Sequence, residues 1–340
     1  MSKLKMAVIG LGMGASHGRR IVDSEDAELT AVCDLSAERA ETVFKSYMDE
    51  AGLAEDKLPV HYTDMDEMFK NKKLDAVIVG LPTGLHHKGC IAAAEAGVHV
   101  LCDKPLDVNV EKCDLIIEAC EKAKVRLGVI YPMHFKPLLA GIKKAIDDKL
   151  IGELLMADIN LKWLRTQEYY DNGGWRGTWK MDGGGSLMNQ GAHPVDYLCW
   201  LCGEPEEISG DYGALNHKIE TEDWAIGIIR FKNGVRGSIL TTTNVSPKME
   251  VMRIEVHGTK GSIMVEEKRF GDEAQPPINF SSIDNLEELG QRDFDYPVEQ
   301  FIHALKNDEP FEVDGRQARD SIAVIEGVYK AANEGKRIKA

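Results

Sequence analysis

The chain of 340 residues has no excess of basic residues, no long apolar run and no dense set of cysteines. Its 41 Lys and Arg residues stand against 56 Asp and Glu residues, which gives a formal net charge of -15. Nucleic acids and anionic lipids attract basic surfaces, so this balance argues against nucleic-acid and membrane partners. No stretch is long and apolar enough for a membrane span or a signal peptide, and we therefore expect a cytoplasmic protein.

The seven cysteines are odd in number and scattered along the chain. The disulfide framework of a small secreted protein is normally even and dense, so none is expected here. Cys199 and Cys202 form a CxxC pattern, but Trp200 and Leu201 lie between them in an apolar segment that is typical of a buried helix. Core packing is therefore favoured over redox or metal chemistry at this pair.

The amino-terminal part of the chain alternates short apolar runs with helical stretches, such as a helix predicted over 110–124. Strands that are buried on both faces of a parallel sheet have this near-continuous apolar pattern. The alternation indicates an α/β fold with a doubly wound parallel sheet, and we predict this domain over residues 1–130. The predicted strands are Lys5–Ile9, Leu29–Cys33, Ala76–Val79, Val98–Leu101 and Leu127–Ile130.

Longer strands follow one another closely in the rest of the chain, which favours a second α/β domain over residues 131–340 with a large, mostly antiparallel open sheet. Asn233-Gly234 between two of the strands is a hairpin signal. We also predict a helix over 187–202 after a glycine-rich stretch, and a final helix over 316–333 that the sequence assigns to neither domain. The predicted strands are Glu153–Trp163, Ala225–Phe231, Gly237–Thr243, Val251–Gly258 and Ser262–Glu266.

A glycine-rich turn, Gly10-Leu11-Gly12-Met13-Gly14, lies between the first predicted strand and a helix. Such a turn lets the backbone approach a pyrophosphate, whose charge is met by the amino terminus of the helix. Asp34 ends the second strand, where a carboxylate accepts hydrogen bonds from the ribose hydroxyls of an adenosine and repels a 2′-phosphate.

This arrangement predicts a dinucleotide site that prefers NAD, and Ser36 and Arg39 leave NADP open. The alternatives are an S-adenosylmethionine or flavin site, or a purely structural turn in which Asp34 caps the next helix.

Several segments along the chain carry a family resemblance. They are Asp75–His86 with Pro82, Thr83 and His86, then Asp103-Lys104-Pro105, then Gly183-Gly184-Gly185 with Asn189, His193 and Asp196, and finally His257–Ser262. The chain resembles the glucose–fructose oxidoreductase and inositol 2-dehydrogenase family (Gfo/Idh/MocA). The resemblance implies a Rossmann domain followed by an α/β domain whose open sheet mediates oligomers, and hence a homodimer or homotetramer.

Carried onto this sequence, the resemblance makes Lys104 the active-site lysine and His193 the acid–base residue. Pro82, Thr83 and His86 then lie near the nicotinamide end of the cofactor, as does the Asp103-Lys104 pair. The chain departs from the family pattern at Asp103, which replaces a glutamate, and at Asn189, which replaces the aspartate of inositol dehydrogenases. His17 stands one residue early in the glycine loop, and His134 stands where many relatives have arginine.

Hydride transfer from a carbinol carbon needs a base for the hydroxyl proton and a positive group at the same oxygen. His193 suits the first role and Lys104 the second. Asn189 precedes His193 by four residues, so on a helix both project from one face, where Asn189 can hydrogen-bond the substrate. A metal site of Asn189, His193 and Asp196 is disfavoured, because asparagine is a poor ligand for transition metals, and we expect no metal.

Arginine and aromatic residues crowd the segment before the predicted catalytic helix, among them Arg165, Trp175 and Arg176. Aromatic faces stack on sugar rings and arginine pairs with carboxylate or phosphate, although the same aromatics could pack an interior. We predict an NAD-dependent dehydrogenase that acts on a hydroxyl-bearing carbon of a sugar or cyclitol. One alternative is a 3-dehydrogenase of a nucleotide-linked N-acetylhexosamine or its uronate. The other is a non-catalytic, NAD-sensing regulator.

Overall fold

The computed structural model describes residues 2–270 and 273–340. These residues form two compact units. The first contains the chain up to Asp107 together with Glu111–Tyr131 and Phe294–Arg316, and the second contains Val108–Val110, Pro132–Asp293 and Gln317–Ala340. The chain thus returns to the first unit over residues 294–316. The division predicted from the sequence, at residue 130, assigned these residues to the second domain.

The reason for this return is a helix over Pro297–Asn307 that buries Val298, Phe301 and Ile302 in the hydrophobic core of the first unit. The segment after this helix accepts a backbone hydrogen bond at the carbonyl oxygen of Val313 from the amide of Val129 in the first unit.

The first unit is built on a parallel six-stranded sheet in the order β3-β2-β1-β4-β5-β6. This is the strand order of a Rossmann fold, and the predicted doubly wound parallel sheet is confirmed. Its strands are β1 (Leu4–Ile9), β2 (Ala27–Cys33), β3 (Val60–Tyr62), β4 (Ala76–Val79), β5 (His99–Cys102) and β6 (Leu127–Val129). Its helices are α1 (Gly14–Val22), α2 (Ala37–Ala51), α3 (Met65–Asn71), α4 (His86–Glu95) and α5 (Val110–Ala123).

The second unit has a nine-stranded sheet within the described residues. Adjacent strands pair antiparallel except for β7 and β10, which are parallel, so the sheet is mostly antiparallel as predicted. The remaining strands are β7 (Leu154–Lys162), β8 (Pro205–Gly213), β9 (Trp224–Phe231), β10 (Arg236–Thr242), β11 (Glu250–Gly258), β12 (Ser262–Phe270), β13 (Glu273–Ala274), β14 (Ile278–Ser281) and β15 (Ile338–Lys339). The remaining helices are α6 (Pro137–Asp147), α7 (Gln167–Asp171), α8 (Ala192–Cys202), α9 (Leu286–Leu289), α10 (Pro297–Asn307, in the first unit) and α11 (Gly315–Glu334).

The turn at Asn233-Gly234 joins β9 to β10 as the sequence predicts, with Gly234 at a φ of +91°. The final helix, α11, belongs largely to the second unit, where Val328 packs close to Gly210 and Gly227 of the sheet. No helix in the described part of the chain is long and apolar enough to cross a membrane.

The helix predicted over 187–202 is in fact two elements. A π-helical turn over Ser186–Gln190 ends at Gly191, and α8 begins at Ala192. The Gly191 amide bonds the carbonyl oxygen of Ser186, five residues earlier, at 2.8 Å. Pro194 has no amide hydrogen to continue an unbroken helical ladder, which gives a physical reason for the interruption. Single π-turns inside helices are frequent at functional sites.

Candidate active site

The glycine turn after β1 is shaped for a close approach of the backbone. Gly10 has a φ of +85°, and a Cβ there would lie 2.6 Å from the carbonyl oxygen of Gly80 after β4. A Cβ on Gly14 would lie 2.8 Å from the Val8 side chain, so this glycine lets α1 pack on β1. A Cβ on Gly12, in contrast, would meet nothing within 4 Å. The open side at Gly12 fits a pyrophosphate group above the switch point between β1 and β4.

Asp34 at the end of β2 is tied to this turn. Its carboxylate accepts hydrogen bonds from the amides of Leu11 at 2.8 Å and Ser36 at 2.9 Å, and from Nη1 of Arg39 at 3.1 Å. Burial opposes ionisation, but the amide bonds and Arg39 outweigh it and lower the pKa of Asp34. An ionised carboxylate is therefore held where a ribose would lie. Met13, at the start of α1, is 64% exposed.

The segment after β4 contains Pro82 and Thr83 and leads into His86, the first residue of α4; Thr83 and His86 are buried. The His86 ring bridges two backbone carbonyl groups, with Nε2 at 2.7 Å from the oxygen of Leu81 and Nδ1 at 2.8 Å from the oxygen of Pro105. His86 thus fastens the loop after β4 to the loop after β5. Its contacts are those of a residue that positions the Lys104-Pro105 segment.

Asp103 and Lys104 directly follow β5. The Asp103 carboxylate accepts a hydrogen bond from the Lys104 amide at 2.8 Å, and Nε2 of the buried His17 lies 3.6 Å away. Burial would raise the pKa of Asp103, but the facing His17 together with Lys104 and His86 lowers it to about 2. Lys104 therefore lies beside a carboxylate that is ionised at neutral pH, at the carboxyl end of the sheet, where open α/β sheets bind ligands.

In the second unit, the π-turn and α8 expose two of their predicted functional residues. From Asp182 to Cys199 every residue is buried except Asn189 and His193, which are partly exposed. Both residues therefore face outward from an otherwise buried segment, although Asn189 lies in the π-turn and His193 in α8.

A chain of hydrogen bonds, called here the polar chain, connects four side chains of the second unit. Nη2 of Arg165 donates to Oε1 of Gln190 at 2.7 Å, and Nε2 of Gln190 donates to Oδ1 of Asn189 at 2.8 Å. Nδ2 of Asn189 then donates to Oδ1 of Asp182 at 2.6 Å. Gln190 also donates to the Tyr169 hydroxyl at 3.1 Å. Two of the predicted substrate residues, Arg165 and Asn189, are brought together in this way.

Arg176 and Trp175 lie on the same side of the second unit. The Arg176 guanidinium carbon is 4.3 Å from the ring centroid of Tyr169 and 5.8 Å from that of Trp175. The Arg165 guanidinium carbon lies 5.2 Å from the Tyr169 ring as well. Two cations are therefore arranged around one aromatic ring, a geometry stabilised by cation–π attraction.

Glu222, just before β9, anchors the start of the π-turn. Its buried carboxylate accepts hydrogen bonds from the amides of Gly185 and Leu187, both at 2.7 Å, and from the Tyr329 hydroxyl at 3.0 Å. Burial raises the pKa of Glu222 to about 7, although these hydrogen bonds act in the opposite direction. A Cβ on Gly185 would lie 1.9 Å from the Glu222 carbonyl oxygen, so this position requires glycine.

His134 and Asp196 form a pair in the interior, with Nε2 of His134 at 2.6 Å from Oδ2 of Asp196 and both side chains fully buried. Asp196 is therefore turned away from the face that presents Asn189 and His193. Burial raises the pKa of Asp196, although His134 acts in the opposite direction.

Comparisons with known proteins agree with this geometry. Residues 4–131 match a family model described as oxidoreductase family, NAD-binding Rossmann fold, and residues 139–264 match the GFO/IDH/MocA C-terminal domain. The WlbA dehydrogenase from Bordetella pertussis, solved in complex with NADH and UDP-GlcNAcA, is 30% identical with a TM-score of 0.85, over 100% of this chain and 99% of that one. The WlbA dehydrogenase from Chromobacterium violaceum, solved with the same two ligands, has the same identity and TM-score over 99% of this chain and 96% of that one.

The chain belongs to the Gfo/Idh/MocA family. Its first unit is an NAD-binding Rossmann domain, and both the predicted family and the predicted cofactor are confirmed. A further relative is the myo-inositol 2-dehydrogenase of Thermotoga maritima, which is 26% identical over 361 residues, or 99% of this chain and 98% of that protein. The chain is accordingly an oxidoreductase whose relatives are dehydrogenases of sugars and cyclitols.

Within this family assignment, the structure adds residues that the sequence did not single out as functional. Gln190 and Asp182 complete the polar chain, and Glu222 holds the π-turn. Asp182 stands immediately before the three glycines, which is the one sequence signal that could have drawn attention to it. Gln190 and Glu222 carry no comparable signal, because their partners are distant in sequence or depend on the π-turn.

Proposed function

We propose that this oxidoreductase oxidises a ring hydroxyl of an anionic sugar, namely a nucleotide-linked N-acetylhexosaminuronate, with NAD as the hydride acceptor. The proposal rests on the partners of the Arg165 and Arg176 guanidinium groups. Neither guanidinium group has a carboxylate partner within ion-pair distance among the described residues. Nε of Arg165 is buried and has no hydrogen-bond partner in the same part of the chain.

The electrostatics favour an anionic substrate at this place. The chain carries a formal net charge of -15, so an anion is attracted only where cations are concentrated locally. A guanidinium group presents a planar set of donors that matches carboxylate and phosphate oxygens. The aromatic ring of Trp175 beside Arg176 offers a face for a sugar ring.

The similarity to the two WlbA dehydrogenases supports the same substrate class, since both were solved with UDP-GlcNAcA. The cyclitol relatives support the same reaction on a neutral substrate. Asn189 separates the two possibilities, because the resemblance places an aspartate there in inositol dehydrogenases.

In the proposed reaction the C–H bond of the carbinol carbon breaks as its hydride passes to NAD, and the hydroxyl proton passes to His193. The carbon–oxygen bond becomes a carbonyl group. Lys104 supplies positive charge and hydrogen-bond donors to the reacting oxygen, and the Asp103 carboxylate holds the backbone at this position by accepting from the Lys104 amide. Asn189 hydrogen-bonds the substrate. The residues of the glycine turn, Asp34, Pro82 and Thr83 bind the cofactor.

We also propose that the protein is a cytoplasmic homodimer or homotetramer that associates through the open face of the large sheet. A cross-strand row on this face runs from Ile228, which is 59% exposed, to Met264 and then Phe280, which is 61% exposed. Between Ile228 and Met264 the row passes through Ser238, Asp158 and Glu255. All seven cysteines are free and buried thiols, as in a reducing compartment. Ile228→Glu with Phe280→Glu should lower the mass measured by sedimentation, and an unchanged mass would place the interface elsewhere.

The experiment that tests the proposed function is the formation of NADH from NAD in the presence of UDP-GlcNAcA, of the corresponding neutral UDP-sugar, and of myo-inositol. We expect turnover with UDP-GlcNAcA and its loss in Lys104→Ala and in His193→Ala, while Lys88→Ala, at an exposed position of α4, keeps it. Turnover with myo-inositol alone would establish a cyclitol dehydrogenase instead. NAD binding without turnover of any of the three would favour a regulator.

A further inference from the structure

The two ends of the polar chain fix the orientation of both amide groups inside it. The guanidinium group of Arg165 can only donate, so the atom of Gln190 that faces it is the carbonyl oxygen. The amide nitrogen of Gln190 then faces Asn189 and requires the oxygen of Asn189 as its acceptor. Consequently the amide nitrogen of Asn189 faces Asp182, whose carboxylate accepts when ionised.

This order fixes the orientation of the Asn189 amide. Its Oδ1 already accepts from Gln190, and its Nδ2 already donates one hydrogen to Asp182. A further contact through Nδ2 is therefore the contact of a donor. Asn189 is partly exposed, whereas Asp182 is 1% exposed and Gln190 is 7% exposed, so Asn189 is the member of this trio that reaches the surface.

Asp182 is itself held in place from behind. Its second oxygen accepts a hydrogen bond from the Gly177 amide at 2.8 Å, which leaves Oδ1 directed at Asn189. The negative charge of this site therefore belongs to residue 182. A carboxylate at position 189 would bring two acids to about the 2.6 Å that now separates Asn189 from Asp182, and two carboxylates so close share one proton.

We propose that Asp182 is a positioning residue that fixes Asn189 as a hydrogen-bond donor toward the substrate and excludes an acid from position 189. The role toward a substrate rests on the proposed function, whereas the pairing of residues 182 and 189 does not. The polar chain also holds the Arg165 guanidinium group against Gln190. Asp182 therefore positions this anion-binding arginine through the side-chain amides of Asn189 and Gln190.

The substitution Asn189→Asp gives the clearest test because its effect depends on pH. A shared proton between Asp182 and the new acid reproduces the donor–acceptor pair, and loss of that proton replaces the pair with two repelling charges. The other titratable groups nearby are the same in both proteins. Arg165 and Tyr169 face the pair through Gln190, and His193 lies four residues beyond Asn189. Tyr329 also interacts with Asp182; burial, Glu222 and Asp182 all raise the pKa of Tyr329.

The first measurement needs no substrate. The thermal unfolding midpoint of Asn189→Asp should fall more steeply than that of the native protein between about pH 5 and about pH 8, since the folded variant binds the extra proton more tightly than the unfolded one. The double variant Asp182→Asn with Asn189→Asp should return to the native slope, because one amide and one acid again face each other. Asn279→Asp, on the exposed strand β14, adds the same charge as a matched control.

The second measurement uses NADH formation from NAD with UDP-GlcNAcA as the probe. The kcat of Asn189→Asp should fall roughly tenfold or more across the same pH range while its KM for NAD stays unchanged. The double variant, whose carboxylate at position 189 cannot donate to the substrate, should lose the new pH dependence without regaining the native kcat. Native-like slopes and pH profiles in Asn189→Asp would overturn the proposal. Unfolding slopes as expected, with a native enzyme that does not turn over UDP-GlcNAcA, would refute the proposed substrate and leave the pairing of Asp182 with Asn189 established.

Discussion

The Arg39 guanidinium group lies 3.1 Å from both carboxylate oxygens of Asp34, beside the glycine turn that we propose binds the cofactor. Asp34 thus repels a 2′-phosphate and at the same time occupies the arginine that would otherwise bind one. Removing the acid should release Arg39 as well as remove the repulsion.

Asp34→Ser should therefore shift the ratio of kcat/KM for NADP to that for NAD upward by roughly tenfold or more, where tenfold corresponds to about 1.4 kcal/mol. Steady-state kinetics with both cofactors measure the ratio. Glu38→Ser, at an exposed neighbouring position, is the control. An unchanged ratio in Asp34→Ser would mean that cofactor preference is set elsewhere.

The His86 ring, which bridges the carbonyl oxygens of Leu81 and Pro105, predicts a coupled effect on stability and cofactor binding. His86→Leu removes the ring nitrogens that face two buried carbonyl oxygens, so at least one of these acceptors loses its donor. This should cost about 1–3 kcal/mol of the free energy of unfolding. The affinity for NAD should fall as well, because both loops lie at the carboxyl end of the sheet. His86→Asn, which keeps a donor, should lose less. Calorimetry with and without NAD measures both effects, and native values in His86→Leu would contradict the bridging role.

Glu222 predicts a dependence of stability on pH. Its pKa in the folded protein is about 7 against an ordinary value of 4.5, mainly because of burial. Stability from this group is fully present below pH 4.5 and is lost as the pH rises through about 7. Glu222→Gln should lack this decline and should lose about 1–3 kcal/mol at acidic pH, since its amide nitrogen cannot accept from a backbone amide.

The raised pKa of Asp196 also makes the stability decline as the pH rises, and this decline is present in both the native protein and Glu222→Gln. The comparison of Glu222→Gln with the native protein therefore isolates Glu222. Equal slopes of the unfolding midpoint between acidic and neutral pH would show that Glu222 does not titrate in that range.

Arg165 and Arg176, which have no carboxylate partner among the described residues, predict a selective loss of substrate affinity. Arg165→Leu and Arg176→Leu should each raise KM for UDP-GlcNAcA on the order of tenfold to a hundredfold, because a hydrogen bond to a charged group is worth about 1.5–3 kcal/mol. The KM for NAD should stay near the native value. Lys180→Leu removes an exposed cation from the same segment and serves as control. An equal loss in all three variants would indicate a general effect of net charge.

The sequence predicts those parts of the fold whose signals are local. The glycine turn before α1, the acid at the end of β2 and the Asn233-Gly234 turn are found where they were expected. Strand β8 was not predicted because it begins at Pro205 and continues with two glutamates, a composition typical of a loop. The return of residues 294–316 to the first unit depends on packing between segments that are far apart in sequence.

The same distinction applies to the candidate site. Lys104, Asn189 and His193 are recognised from motifs, but the motif does not show that a π-turn separates the last two. Glu222 is indistinguishable from a surface acid until its partners at Gly185 and Leu187 are known. The order of the polar chain likewise depends on side chains from three separate segments, so only the folded structure reveals it.

In the proposed reaction of this dehydrogenase, His193 accepts the proton of the substrate hydroxyl. The most direct test is the kcat for NADH formation with UDP-GlcNAcA in native protein and His193→Ala, together with the affinity of both proteins for NAD. The kcat of His193→Ala should fall by roughly 10²- to 10⁴-fold at neutral pH while the affinity for NAD is unchanged. A kcat for His193→Ala equal to that of the native enzyme would contradict it.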